Sequence, residues 1–181
     1  MKIEYLHASK FGNGAAVARE FRREMACHGL PVEVSYIRDV TPSELPAADL
    51  YVFSSPGRFG KPTRGMRRFL KRVSLPVGTR YAILTTEATP KPDRKTGRMP
   101  SQEELAKYQR VRPIMNELLG GKRLIEVAED AVHVTGLKGP LEEGWQNKVQ
   151  AFATRLVTEI GGRPAGSTAA RMEALTAPAG R

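Results

Sequence analysis

The sequence predicts an α/β fold in which five strands form a parallel sheet with helices on both faces. Short apolar runs alternate with amphipathic helical stretches along most of the chain, and this alternation is typical of parallel sheets. Residues 50–53 are continuously apolar, as expected of a strand that helices cover on both faces. A length of 181 residues favours a single domain with a core large enough to need no disulfide bonds.

The first half of the chain supplies three strands and two helices. The pattern predicts strands at residues 2–6, 31–37 and 50–53, with a helix near residues 13–28. Pro62 is expected to open the second helix, since a residue in the first turn has no intrahelical N–H bond to lose. The inner faces of these helices are predicted at Val17, Ala18, Phe21 and Met25, and at Met66, Phe69, Leu70 and Val73.

The next part of the chain contains a strand, a long loop and a helix. The strand is predicted at residues 81–84, and residues 86–100 form a loop because they have no periodic pattern. A capping box at Ser101–Glu104 starts the helix, and a kink or break is expected before Pro113. The inner face of this helix is predicted at Leu105, Tyr108, Met115 and Leu118.

The last strand and the last helix complete the domain. Either residues 124–127 or residues 131–134 supply the strand. We expect the α/β domain to occupy residues 1–162 and the Ala/Gly/Pro-rich segment 163–181 to be disordered. The inner face of the last helix is predicted at Trp145, Val149, Phe152, Leu156 and Ile160.

Composition excludes several classes of protein. A strand pattern begins directly after Met1 and no apolar run is long enough for a membrane span, so we expect a cytoplasmic protein. The single cysteine, Cys27, excludes an internal disulfide and a cysteine-rich metal site. The three histidines are not spaced as metal ligands, so no metal site is predicted. No serine lies in a G-x-S-x-G elbow motif, so hydrolase chemistry is disfavoured.

The formal net charge of +10 is the unusual feature of the composition. The excess of cations lies before residue 124, and residues 124–162 are acidic overall. A basic surface of this kind suits an acidic protein, an anionic membrane surface or a nucleic acid, or is simply a solvated face. A nucleic-acid site is disfavoured because no basic surface interleaved with aromatic residues is visible.

The loop after the first strand has the chemistry of a phosphate site. Gly12 and Gly14 permit tight backbone geometry, and the N–H groups that open the following helix attract an anion. Ser9 and Asn13 add side-chain donors, and Lys10 adds positive charge. An ordinary strand-to-helix turn is the alternative, since the loop matches neither the dinucleotide nor the nucleoside-triphosphate motif.

The loop after the third strand combines backbone-defining residues with one aromatic side chain. Phe59 offers a surface on which a flat heteroaromatic ligand stacks, and Arg58 and Lys61 offer positive charge to an anionic ligand. The alternative is that Phe59 packs in the core while both cations are solvated.

Together, the two loops resemble the flavodoxin superfamily. Residues 5–18, with Ser-x-x-Gly-Asn at the centre, are similar to the flavodoxin phosphate loop, and residues 55–70 are similar to the flavin-ring loop of flavodoxin-like quinone reductases. The resemblance implies the strand order 2-1-3-4-5 and FMN as cofactor. Phe11 and Gly14 stand where threonines are usual in the family, which predicts weaker phosphate binding than in a typical flavodoxin.

The resemblance also assigns the ligand contacts and implies no catalytic side chain. The third loop of the site is expected at Thr85–Ala88, through backbone contacts to the flavin. Phosphate contacts are assigned to Ser9, Lys10, Phe11, Gly12, Asn13 and Gly14, and ring contacts to Pro56, Gly57, Arg58, Phe59, Gly60, Thr86 and Glu87.

Three functions remain open from the sequence. The first is an FMN-binding electron carrier that exchanges electrons with an acidic redox partner protein. The second is an FMN-dependent NAD(P)H:quinone-type oxidoreductase that uses NAD(P)H and a small acceptor. The third is a binding module of the same fold without a flavin.

Overall fold

The computed structural model describes residues 1–161, and its centre is a parallel sheet with the strand order β2-β1-β3-β6-β7. The expected disordered tail, residues 163–181, lies outside the described residues. The strand order equals the predicted order 2-1-3-4-5 once the five strands of this sheet are counted along the chain. The strands are β1 (Ile3–His7), β2 (Val32–Tyr36), β3 (Leu50–Ser54), β6 (Arg80–Ala88) and β7 (Ile125–Val134).

Helices cover both faces of the sheet, so the domain has two cores. One core lies between the sheet and the first and last helices, and the other lies between the sheet and the middle helices. The predicted inner faces of the first two helices are buried, and in the last helix only Trp145 is partly exposed. The helices are α1 (Asn13–Cys27), α2 (Arg64–Arg72), α3 (Gln102–Tyr108), α4 (Val111–Gly120) and α5 (Trp145–Gly161).

A small antiparallel hairpin interrupts the alternation after β3. It consists of β4 (Gly57–Arg58) and β5 (Lys61–Pro62), where a loop was expected. The prediction that Pro62 opens the second helix is therefore wrong. Thr63 caps α2 instead, because its side-chain oxygen accepts a hydrogen bond from the Met66 N–H at 3.2 Å.

The last two strands of the sheet, β6 and β7, are longer than the sequence predicts. β6 continues to Ala88, four residues beyond the predicted end, because it pairs with β7 through the register Ala88↔Val134. The segment predicted as the third loop, Thr85–Ala88, is therefore strand. The single strand β7 contains residues 131–134 and all of residues 124–127 except Leu124.

The predicted capping box at Ser101–Glu104 is present at the start of α3. The helix ends at Tyr108 and α4 starts at Val111, so the break predicted before Pro113 falls at residues 109–110. The prediction that Tyr108 lies on the inner face is wrong, because its side chain is 74% exposed. Across residues 1–161, no helix is both long and apolar enough to cross a bilayer.

Candidate functional site

The two loops that the sequence singles out are neighbours in the structure. They leave the carboxyl ends of β1 and β3, which pair in parallel with His7 opposite Ser54. The Ala8 N–H donates to the carbonyl oxygen of Ser54 at 2.9 Å. Ligands of open parallel sheets bind at this edge, where the strand order reverses, and β1 and β3 are the strands that flank the reversal.

The N-terminus of α1 is open toward this edge. Its cap residue, Gly12, has φ +89°, and the first turn contains neither an acidic side chain nor a side-chain cap. The first helical bond runs from the Ala16 N–H to the Gly12 carbonyl at 2.9 Å, so the N–H groups before Ala16 have no helical acceptor. An unsatisfied helix N-terminus of this kind favours an anion.

The backbone of the first loop is packed too tightly for a side chain at Gly14. A Cβ atom there would lie 2.9 Å from the carbonyl oxygen of Ala8 and 3.6 Å from the hydroxyl oxygen of Ser9. Glycine at this position therefore follows from close packing of the loop against the helix start. The Tyr36 hydroxyl donates to the Ser9 carbonyl at 3.2 Å and fixes the loop from the other side.

The hydroxyl oxygen of Ser9 is buried and has no hydrogen-bond partner among residues 1–161. A buried hydroxyl without a partner is costly, and its position beside an open helix N-terminus suits a bound anion. The residues present therefore fit a phosphate group.

One predicted phosphate contact is occupied by the protein itself. The side-chain amide of Asn13 donates to the Lys138 carbonyl at 3.2 Å, so it ties down the loop between β7 and α5. The ammonium groups of Lys10 and Lys138 lie 5.4 and 6.0 Å from the centroid of the Phe11 ring. Lys138 thus adds a second cation to the loop, at a position that sequence reasoning missed.

The hairpin between β4 and β5 holds Phe59 in an unusual conformation. Its two turn residues, Phe59 and Gly60, both have positive φ angles, of 50° and 70°. Two-residue turns of this type prefer Asn-Gly, and a bulky residue in the left-handed region costs about 1–2 kcal/mol. The Phe59 ring is 90% exposed, so the alternative that it packs in the core is wrong.

A groove of about 410 Å³ lies between this hairpin, the end of β6 and the junction of α3 with α4. The exposed side chains of Phe59 and Tyr108 both border it, and flat ligands stack on such rings. The groove is lined by Gly57, Phe59, Gly60, Glu87, Ala88, Tyr108, Gln109 and Val111.

Thr86 and Glu87 lie beside the groove as strand residues. The Thr86 N–H donates to the Ser55 carbonyl at 3.2 Å, and Pro56 forms a parallel bridge with Thr86. These contacts place the loop after β3 directly against β6. They also occupy the Thr86 N–H, a backbone donor at a position where a ligand contact is predicted.

Solved structures with the same architecture are flavodoxins and related domains. Flavodoxin 1 from Bacillus cereus is 18% identical, with a TM-score of 0.64, and the match covers 87% of this chain and 98% of that one. A flavodoxin from the domain Archaea is 16% identical over 89% of this chain and 99% of that chain, with a TM-score of 0.63. This chain has a flavodoxin-like fold.

One structural relative places this fold within a larger enzyme. Rubredoxin oxygen:oxidoreductase from Desulfovibrio gigas matches 91% of this chain with 37% of its own, at 12% identity and a TM-score of 0.64. By sequence, neither a protein-family model nor a curated protein matches. The likeness is therefore one of fold, and the function rests on the residues of the site.

In this flavodoxin-like chain, an ion-pair network centred on the buried carboxylate of Glu87 supports the wall of the groove. The Glu87 carboxylate is 3% exposed and accepts hydrogen bonds from the Thr85 hydroxyl at 2.6 Å and from Arg112 Nε at 3.1 Å. Arg112 Nη1 also donates to Glu129 at 3.1 Å. Arg112 thereby joins α4 to both β6 and β7. Both bonds to Glu87 are made by its side chain, so they do not involve the backbone through which the ligand contact of this segment is predicted.

His7, at the end of β1, lies directly before the phosphate loop. Its ring is 8% exposed, its centroid is 5.4 Å from that of Tyr36, and its Nδ1 atom has no partner among the described residues. Burial lowers the pKa of His7, and the negative charge of Asp39 opposes this effect in part. The folded protein therefore favours the neutral imidazole.

Acidification is expected to destabilise the protein through His7. Below the ordinary histidine pKa of about 6.5, the unfolded chain binds a proton that the folded protein resists, so the free energy of unfolding falls as pH falls. Urea unfolding at about pH 7.5 and about pH 5.5 measures this loss. His7→Gln should reduce the loss, whereas His28→Gln, at an exposed position, should not. An equal loss in both variants would contradict the assignment.

Proposed function

We propose that this chain binds FMN at the carboxyl edge of its sheet and acts as an electron carrier. The observation that carries the proposal is the buried, unpartnered hydroxyl of Ser9 beside the open N-terminus of α1. The flavodoxin-like fold supports it, because solved structures named as flavodoxins match nearly their whole length.

The phosphate of FMN would be held mainly by the backbone. The N–H groups at the start of α1 and the Ser9 hydroxyl donate to it, and the helix dipole adds favourable electrostatics. Lys10 and Lys138 place positive charge beside the same loop. Phe11 and Gly14 donate no side-chain hydrogen bond, so we expect binding to be weaker than in a chain with hydroxyl residues there.

The ring of FMN would lie beside the hairpin and its groove. The positive φ of Phe59 keeps its aromatic ring exposed at the turn, where it is free to stack on a flat ligand. Arg58, whose guanidinium lies 5.7 Å from the Phe59 ring centroid, adds positive charge. The flavin itself supplies the redox chemistry when bound, and single-electron transfer requires no acid or base from the protein.

Titration with FMN and with riboflavin tests whether the Ser9 loop and the start of α1 bind the phosphate. Ser9→Ala removes a donor to a charged group, so FMN affinity should fall about tenfold or more, while riboflavin, which lacks the phosphate, should bind unchanged. Ser35→Ala, a half-buried serine in β2, serves as the matched control and should bind both flavins as the wild type does. Quenching of flavin fluorescence provides the measurement.

The same titration can overturn the proposal. If the purified protein is colourless and takes up no FMN at micromolar concentration, the chain is a flavin-free binding module. If FMN binds and NADPH then bleaches it rapidly, the chain is a reductase rather than a carrier. An FMN complex that NADPH leaves oxidised is the result expected of a carrier.

A further inference from the structure

Among charged residues, the segment from the start of β3 to Thr86, two residues before the end of β6, contains only cations. Residues 50–86 contain no aspartate or glutamate and eight lysines and arginines. Five of these cations belong to α2, which has nine residues. We call this group the α2 basic face, and its members are Arg64, Arg67, Arg68, Lys71 and Arg72.

The α2 basic face has no neutralising partner within residues 1–161. None of the ion pairs in the described part of the chain includes any of its members. The carboxylates of the neighbouring helix α4 do not reach it, since Glu117 pairs with Arg110 at 2.9 Å. The Nε atom of Arg67 is buried without a hydrogen-bond partner among the described residues.

The cations of the α2 basic face destabilise α2 itself. Arg64 begins α2, where the helix dipole disfavours a cation, and the first turn has no acidic residue. Arg64 and Arg68 are four residues apart, as are Arg68 and Arg72, and like charges at this spacing repel. Burial of Met66, Phe69 and Leu70 holds α2 on the sheet, so the fold itself gives no reason for the cations.

The α2 basic face is continuous with the proposed flavin site. Only Thr63 separates β5 from α2, and the exposed cations Arg58 and Lys61 flank the hairpin turn. A protein bound to α2 would therefore also lie against the hairpin that carries Phe59. Short distance between redox centres and complementary charge are what an electron-transfer encounter requires.

We infer that the α2 basic face, together with the β4–β5 hairpin, is the docking surface for an acidic electron-transfer protein. The inference rests on the proposed function for the chemistry of the partner: one electron leaves the partner's reduced centre and the bound flavin gains it. An acidic protein is preferred to nucleic acid as the occupant because the basic face borders the hairpin of the proposed flavin site, where an electron-transfer partner has to dock.

Binding to an acidic [2Fe–2S] ferredoxin, fluorescently labelled and followed by anisotropy, tests the surface on the full chain. We expect association at about 20 mM salt that weakens strongly at about 300 mM salt, where charges on the surface are screened. The double variant R64Q/R68Q should weaken it about tenfold at low salt. The control R19Q/R22Q removes two exposed arginines of α1 and should leave it unchanged.

FMN uptake by each variant is measured first by visible absorbance, so that failure of the proposed function is seen separately from failure of docking. Equal FMN uptake in both variants and no loss of thermal stability in R64Q/R68Q, with ferredoxin binding weakened only in R64Q/R68Q, is the expected result. The inference is overturned if FMN-loaded protein does not bind ferredoxin, or if both variants weaken binding equally. It is also overturned if a DNA oligonucleotide binds the same arginines more tightly than ferredoxin does.

Discussion

Gly60→Ala is expected to destabilise the protein by about 3 kcal/mol and to weaken FMN binding. A Cβ atom at this position would lie 1.6 Å from the carbonyl oxygen of Tyr108, which is backbone and cannot rotate away. The positive φ of 70° adds its own strain. Either the hairpin or the α3–α4 junction has to move, and the hydrogen bond from the Arg110 N–H to the Gly60 carbonyl at 2.7 Å is expected to break.

Gly78→Ala is the control that separates the cost of the steric clash at Gly60 from the cost of backbone strain alone. Gly78 also has a positive φ, of 83°, but nothing lies within 4 Å of its missing Cβ. Its substitution should cost only the backbone strain, about 1 kcal/mol, and leave FMN affinity unchanged. Urea unfolding measures both losses. Equal losses in the two variants would mean that the contact between hairpin and α3–α4 junction is not as close as the structure has it.

The features that sequence predicts correctly are local in the chain. The inner face of α2 follows from spacing alone, because Met66, Phe69 and Leu70 repeat at the helical period and become buried together. The capping box of α3 likewise involves residues three apart, Ser101 and Glu104. The helical period and the cap each depend on residues close together in the chain, so the sequence alone indicates them.

Tyr108 illustrates how a local pattern fails. The prediction placed it on one helical face with Met115, but α3 ends at Tyr108 and α4 starts at Val111. The intervening residues break the helical phase, so Met115 is buried and Tyr108 is 74% exposed. The exposed ring then borders the groove, a role that helical periodicity could not indicate.

The remaining surprises are contacts between residues distant in sequence. The carbonyl oxygen of Lys138 accepts a hydrogen bond from the amide of Asn13, 125 residues earlier in the chain. The loop between β7 and α5 lies beside the phosphate loop because its two ends are fixed by the sheet and by α5. Nothing in the sequence around Lys138 indicates this contact, whereas the glycines of the phosphate loop are a recognisable pattern.

Arg112→Met is expected to cost about 3 kcal/mol, because it leaves the buried carboxylate of Glu87 without its cation. Among residues 1–161, only the hydroxyl of Thr85 would still donate to that carboxylate. Arg110→Met is the matched control. Arg110 pairs with Glu117 at a similar distance, 2.9 Å, but the carboxylate is 63% exposed, so its loss should cost well under about 1 kcal/mol.

The double variant R112M/E87Q tests whether charge or shape explains the loss. If the cost comes from an uncompensated buried charge, the neutral amide of Gln at position 87 should recover a large part of it. If Arg112 acts mainly by packing its side chain between α4 and the sheet, the double variant should be no more stable than R112M alone. FMN affinity of the same variants then reports on the groove, since Arg112 joins α4, which forms its wall, to β6 and β7. Recovery of stability together with FMN affinity would identify this ion pair as the support of the groove.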